Sequence, residues 1–157
     1  MGSVTSPPGG RSAVELSRLH ELTHHWPQRP GFCASTDLLR QEHGGDVNLA
    51  VMPQAAVVAC RRAWQGIARR PRAVVHGDPG AGNIRVSEQG TGFLDWDEAR
   101  VDHTDLDLAA LPDPALPPGR LRTAQAALNA REAANSWDLE PEYARHRLAA
   151  ITSTPPA

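Results

Sequence analysis

Between residues 74 and 109 the chain alternates short apolar runs with glycines and carboxylates. It reads Val-Val-His-Gly-Asp-Pro-Gly-Ala-Gly-Asn-Ile-Arg-Val and then, after a polar turn, Gly-Phe-Leu-Asp-Trp-Asp-Glu-Ala and Asp-Leu-Asp-Leu-Ala. Apolar runs this short, bounded by glycines, fit strands better than helices. Pro79 disfavours helical geometry at Asp78, so this carboxylate is expected at the mouth of a strand, facing a loop. Gly80 and Gly82 let the backbone turn tightly and bring Asn83 back beside Asp78. Asn83 offers a neutral carbonyl oxygen and Asp95 a hard anionic one. Such a pair suits Mg²⁺, which takes few protein ligands and completes its shell with water and phosphate. The stretch therefore predicts a magnesium and phosphate site with Asp78 as a base within reach of a substrate hydroxyl.

Around this insert the chain predicts a mostly helical α+β domain. A length of 157 residues fits one domain, able to bury roughly two-thirds of its unfolded surface. Residues 1–11, rich in Ser, Pro and Gly, form an expected disordered lead-in. The folded unit spans 12–151, and 152–157 is an expected disordered tail. The first helix takes Ser12 as N-cap and Glu15 as its capping-box partner, shows Leu19, Leu22 and Trp26 on one face, and stops before Pro27. After a loop with a short helix near 36–41, a second helix over 53–68 buries Ala56, Cys60, Ala63, Trp64 and Ile67 and leaves Arg61, Arg62, Arg69 and Arg70 mostly in water. Strands are expected at 73–75, 84–86 and 92–94, the last two joined as a hairpin. A helix beginning at 104 or 105 carries Leu106, Leu108 and Leu111, and helices at 120–137 and 141–151 follow. Core packing is the default for Trp26, Trp64, Trp96 and Trp137.

The net charge of −2 and a pI near 6.4 argue against a nucleic-acid partner. No apolar run reaches transmembrane length and the start of the chain lacks the apolar core of a signal peptide, so no membrane partner is expected. Cys33 and Cys60 form no paired ligand motif and read as buried free thiols of a cytoplasmic protein. All 16 basic residues are Arg, which leaves no lysine ammonium to hold a phosphate.

His76-Gly77-Asp78 with Asn83 five residues on, then Leu94-Asp95-Trp96 and residues 102–109, resembles the aminoglycoside phosphotransferase and choline kinase-like family, which shares the protein-kinase fold. The resemblance implies that Asp78 is the catalytic base, that Asn83 and Asp95 hold Mg²⁺, and that Asp107 supports the loop, with His76 as a loop-orienting hydrogen bonder. It implies ATP as phosphoryl donor and a small-molecule hydroxyl, aminoglycoside-like, as acceptor. Pro79 and Gly80 stand where the family has an apolar residue and a second His, and His103 replaces a Pro. The resemblance covers a kinase-like C-terminal lobe. The family's N-terminal lobe, with its phosphate-covering loop and lysine, has no counterpart in the sequence. A second reading is thus a non-catalytic relative that serves as an interaction module, its uncovered apolar face met by a second copy or a partner chain.

Two further patterns compete for chemistry. Asp97, Glu98, Asp102 and Asp105 suit a cationic acceptor, against the plainer reading of a solvated acidic face. His20-Glu21-Leu22-Thr23-His24 fits H-E-x-x-H, in which two His one turn apart bind zinc and the Glu activates water, the signature of a zinc hydrolase. Pro27 follows closely and no third ligand stands at a recognised spacing.

Overall fold

A computed structural model describes residues 8–152. The expected disorder of residues 1–7 and 153–157 lies outside them. The first helix, α1, runs Pro8–Thr23, so it starts four residues before the expected cap. Ser12 lies inside it, buried with Leu16, His20 and Thr23. These positions recur at helical spacing and form the true inner face. Leu22 and Trp26 are 64% and 55% exposed, so the expected face is the solvent face. The reason is chemical. Three of the four buried residues are polar, and two of them, His20 and Thr23, meet partners far along the chain, which apolar periodicity cannot register.

Beyond α1 come a 3₁₀ turn at Ser35–Leu39 and a small ribbon of β1 (His43–Gly44) with β2 (Val47–Asn48). Helix α2 (Gln54–Ile67) buries the expected stripe of Ala56, Cys60, Ala63, Trp64 and Ile67, together with Val57. Strand β3 (Arg72–Val75) then pairs antiparallel with β6 (Arg100–His103), with Val74 opposite Val101. Between them lies the hairpin of β4 (Ile84–Ser87) and β5 (Gly90–Phe93). Helix α3 (Asp105–Ala110) follows β6 directly, and α4 (Pro118–Asn135) and α5 (Pro141–Thr152) complete the fold.

The core lies among α2, α4 and α5 and extends to Cys33, Leu38, Val47, Leu49 and Leu106. Helix α4 contributes Ala124, Ala127, Ala130, Ala133 and Ala134, with one buried cation, Arg131. Small side chains allow α2 to come close and seat Trp64, fully buried, against them. The indole N–H of Trp64 donates to Ala127 O at 3.2 Å and the Cys60 thiol to Ala130 O at 3.7 Å. Burial pushes the Cys60 thiol up to about 12. Both cysteines are free and buried. Trp26 and Trp96 depart from the expected packing, since both are exposed. No helix among the described residues is long and apolar enough to cross a membrane.

Strand β6 is the element that the sequence pattern hides. Its four residues, Arg-Val-Asp-His, are all buried, and every polar group among them has a partner. The Arg100 Nε–H donates to Asp102 Oδ2 at 3.0 Å, and Asp102 accepts from the Ser35 hydroxyl at 2.8 Å and from the Ser35 and His103 amides. His103 Nδ1 donates to Arg70 O at 2.9 Å, so its Nε2 accepts from the Thr36 hydroxyl. Asp102 and Asp105 are therefore buried structural acids and no part of a solvated acidic face.

Burial alone would raise the Asp102 pKa. The guanidiniums of Arg100 and Arg131 and the hydrogen bonds from Ser35 and His103 outweigh it and hold this carboxyl below its usual range. A group whose pKa is depressed on folding stabilises above its unfolded value and loses that contribution as pH falls through the folded one. Asp102→Asn leaves Arg100 buried without its counter-charge and is expected to cost about 3–5 kcal/mol near neutral pH. The deficit in Tm against wild type should shrink as pH falls from the usual carboxylate range through the lowered value of the folded Asp102, where the wild-type carboxyl also takes up its proton. Thermal unfolding followed across pH checks both.

Candidate active site

The loop after β3 is held from below by one carboxylate. Asp107, buried in the first turn of α3, accepts the His76 amide on Oδ2 at 2.8 Å and the Gly77 amide on Oδ1 at 3.0 Å. Its Oδ2 also meets His20 Nε2 at 3.0 Å. Two successive backbone N–H groups on one carboxylate fix the chain direction at the point where it leaves the strand. Gly77 turns there with φ of 95°. A Cβ at Gly77 would lie 2.6 Å from Glu98 O and 2.8 Å from Glu98 Cβ. Only glycine permits both the turn and this approach.

The His76 imidazole is buried and both of its nitrogens are engaged. Nε2 donates to Leu94 O at 2.8 Å, and Nδ1 accepts from the Asp78 amide at 3.3 Å. A carbonyl can only accept, so the ring is neutral with its proton on Nε2. It packs at a tilt against Trp96, with centroids 4.5 Å apart, and against Phe93 at 5.7 Å. One side chain thus ties the Asp78 loop to the end of β5, one residue before Asp95.

Asp78 is exposed at the mouth of β3. Asn83 Nδ2 donates to its carbonyl and to its Oδ2, each at 3.0 Å. With the amide nitrogen engaged twice, Asn83 Oδ1 remains as an acceptor with no hydrogen bond among the described residues. Gly80 keeps the other oxygen of Asp78 clear, since a Cβ there would come within 3.3 Å of Oδ1. The Leu94 amide donates to Asn83 O at 2.8 Å, so Asp95 follows directly on the residue paired with Asn83. Asp95 is exposed, and its carboxylate makes no hydrogen bond or ion pair among the described residues. Its φ is 60°, and among the described residues it is the one non-glycine with a positive φ. A left-handed aspartate costs about 1–3 kcal/mol and concentrates at functional sites. Asp78, Asn83, Asp95, His76 and Asp107 are thus brought together.

Asp97 and Glu98 lie just beyond, exposed, with the Glu98 carboxylate 4.0 Å from Arg100 Nη1. Asp102 and Asp105 point elsewhere, the latter to Arg120 at 2.5 Å and to Arg70 at 3.6 Å. The structure removes the zinc reading of His20, Glu21 and His24. His20 is buried and spends Nε2 on Asp107, while His24 is exposed and bonds Glu21 O through Nδ1 at 2.8 Å. Among the described residues no group of three or more His, Cys, Asp or Glu stands together as a metal cluster. A magnesium site needs fewer protein ligands, one or two oxygens being usual. Sequence reasoning thus misplaced His20, which belongs to the loop support. The signal was its spacing of four from Leu16 and eight from Ser12, the other members of the buried stripe.

The chain belongs to the phosphotransferase enzyme family, whose sequence profile matches residues 8–149. Its fold is also that of a choline kinase, LicA from Streptococcus pneumoniae, with a TM-score of 0.56 at 12% identity. The similarity covers 93% of this chain and 64% of the LicA chain. No curated protein matches the sequence.

Gly77→Ala is expected to destabilise the fold by about 1–3 kcal/mol through the left-handed backbone and the contact with Glu98. A second substitution, Glu98→Gly, should not restore the loss, because the nearest clashing atom is a backbone oxygen. Chemical denaturation of the single and double variants measures this.

Proposed function

We propose that this protein transfers the γ-phosphoryl group of ATP to a small-molecule hydroxyl in a Mg²⁺-dependent reaction. The observation that carries the reading is the Asp78–Asn83 hydrogen bond set beside the unpartnered, left-handed Asp95. It gathers an open carboxylate oxygen and an amide oxygen in the loop after β3, and a second carboxylate just past β5, next to the residue that pairs with Asn83. The donor set fits Mg²⁺, since Asn83 Oδ1 and the Asp95 carboxylate are hard oxygens and neither has a hydrogen-bond partner among the described residues. Mg²⁺ and ATP, when bound, supply the transferable group and the positive charge that offsets its oxygens. Under this reading Asp78 accepts the acceptor's hydroxyl proton on Oδ1 while Asn83 holds Oδ2 and keeps the carboxylate from rotating away. His76, neutral and buried, sets the spacing between the base and the metal loop. Asp97 and Glu98 lie at the acceptor's side and favour a cationic, aminoglycoside-like molecule.

The sequence has no Lys, so the grip that an ammonium gives to nucleotide phosphates comes from arginine, the metal or a partner. A second reading, an interaction module without catalysis, draws on the apolar side chains of the hairpin region. Val86, Leu94 and Trp96 are 50%, 46% and 40% exposed. A second copy or a partner chain over this face would cover them. We place both readings in the cytoplasm, in keeping with the two free thiols.

Mg²⁺ with ATP is expected to raise the Tm of the wild type, and Asp95→Ala to remove the shift. No shift in the wild type, or an equal one in both proteins, would defeat the nucleotide site. Where transfer is measurable, Asp78→Asn should lower kcat by about 10²–10⁴ with little change in nucleotide affinity. Loss of affinity in step with kcat would instead mark Asp78 as a binding residue. A monomer that binds Mg²⁺ and ATP and leaves Leu94→Glu unaffected argues against the module.

A further inference from the structure

The segment that follows α1 holds the far side of the metal loop. In the β3–β6 ribbon, Val74 and Val101 face each other, and their outward amides find side chains instead of strands. The Val74 amide donates to Thr23 Oγ1 at 3.1 Å. Val101 pairs with Gln28 in both directions. Gln28 Nε2 donates to Val101 O at 2.7 Å, and the Val101 amide donates to Gln28 Oε1 at 2.9 Å. A carboxamide carries one donor edge and one acceptor edge, so Gln28 stands in for a strand and closes an open sheet edge.

Arg29 completes the hold. Its amide donates to the same Gln28 oxygen at 2.9 Å, which keeps that carboxamide in orientation. A single nitrogen, Nη1, donates to Asp97 O at 2.9 Å and to Ala99 O at 3.2 Å. The guanidinium is kept in place by the Phe32 ring, 4.1 Å from its carbon. The Ala99 amide closes the turn onto Trp96 O at 3.0 Å. On the opposite side the Glu98 backbone rests against Gly77. Residues 96–101 are therefore gripped from two sides, directly after the left-handed Asp95.

We infer that Gln28 and Arg29 are positioning residues that fix the backbone of residues 97–101 and so hold Asp95 in its left-handed conformation. The effect on backbone order stands by itself; the effect on metal binding rests on the reading of Asp95 as a ligand. A left-handed aspartate persists only where its surroundings over-determine it. These four side-chain hydrogen bonds are the part of those surroundings that lies outside the loop and its support. Neither residue touches the reacting groups, so their removal should act through the conformation of Asp95 alone.

The test uses the full chain and two readouts. Amide hydrogen exchange at Ala99 and Val101, whose N–H groups are hydrogen-bonded, is expected to speed up by about tenfold or more in Gln28→Glu and Arg29→Ala as the segment opens locally. The Mg²⁺ concentration that half-saturates binding of a non-hydrolysable ATP analogue should rise by about tenfold, as for other supports of metal ligands. Arg29→Lys should recover most of both, because one ammonium can serve the two carbonyls that Nη1 serves. Unchanged exchange in Arg29→Ala overturns the inference whatever the metal does. Faster exchange with an unchanged Mg²⁺ requirement also overturns it, since the loop would then not govern Asp95. A wild type that binds no Mg²⁺ and nucleotide defeats the phosphotransfer reading instead, and exchange at Ala99 and Val101 then decides the inference alone.

Discussion

The Asp107 carboxylate is the point on which the site depends. It lies in α3, is almost fully buried, and takes three N–H groups, from His20, His76 and Gly77. An ionised carboxylate out of water is tolerable only when its oxygens are fully hydrogen-bonded. The need is mutual, because the two loop amides would otherwise be buried without acceptors. Helix α1, helix α3 and the loop after β3 are thereby joined at one residue. The hold on α3 continues outward through Asp105, which meets Arg120 on α4 and Arg70 beyond α2. Asp102, three residues earlier, fastens β6 to the turn at Ser35. Three acids within six residues thus reach three different neighbours.

Under the proposed function, this arrangement separates support from chemistry. The groups that hold the loop, His20, His76 and Asp107, are buried, while Asp78 and Asp95 face solvent. Preorganisation requires that division, since a side chain meant to meet a substrate cannot also be consumed by the fold. Asn83 stands between the two groups, with one end of its amide on Asp78 and the other open. The ribbons that carry these residues have only two strands each. A lone two-stranded ribbon is at best marginally stable in water. Their order is lent by α1 and by the loop's own hydrogen bonds.

What was legible in the sequence was local. The glycines and Pro79 announced the loop, the polar turn at 87–90 announced the hairpin, and the spacing from Ala56 to Ile67 announced the buried face of α2. What was hidden depends on partners far along the chain. Strand β6 reads as a charged segment, and only the meeting of Asp102 with Ser35, 67 residues away, makes it a buried strand. His20 lies 87 residues from Asp107, and without that partner its helix offers a more familiar metal pattern. Leu22 and Trp26 read as an inner face because hydrophobicity is the stronger local signal. In α1 the buried positions are mostly polar and answer to hydrogen bonds.

The alanine face of α4 has a consequence for how this core can change. Nearly all the bulk at the contact comes from α2, with Trp64 seated where α4 offers little more than methyl groups and backbone carbonyls. Volume gained on α4 would have to be surrendered on α2, so the two helices can drift only as a complementary pair. A small residue replacing Trp64 would leave a void that no single alanine opposite could grow to fill without losing the carbonyl contact. The sizes of these side chains are in effect one shared variable, divided between two helices.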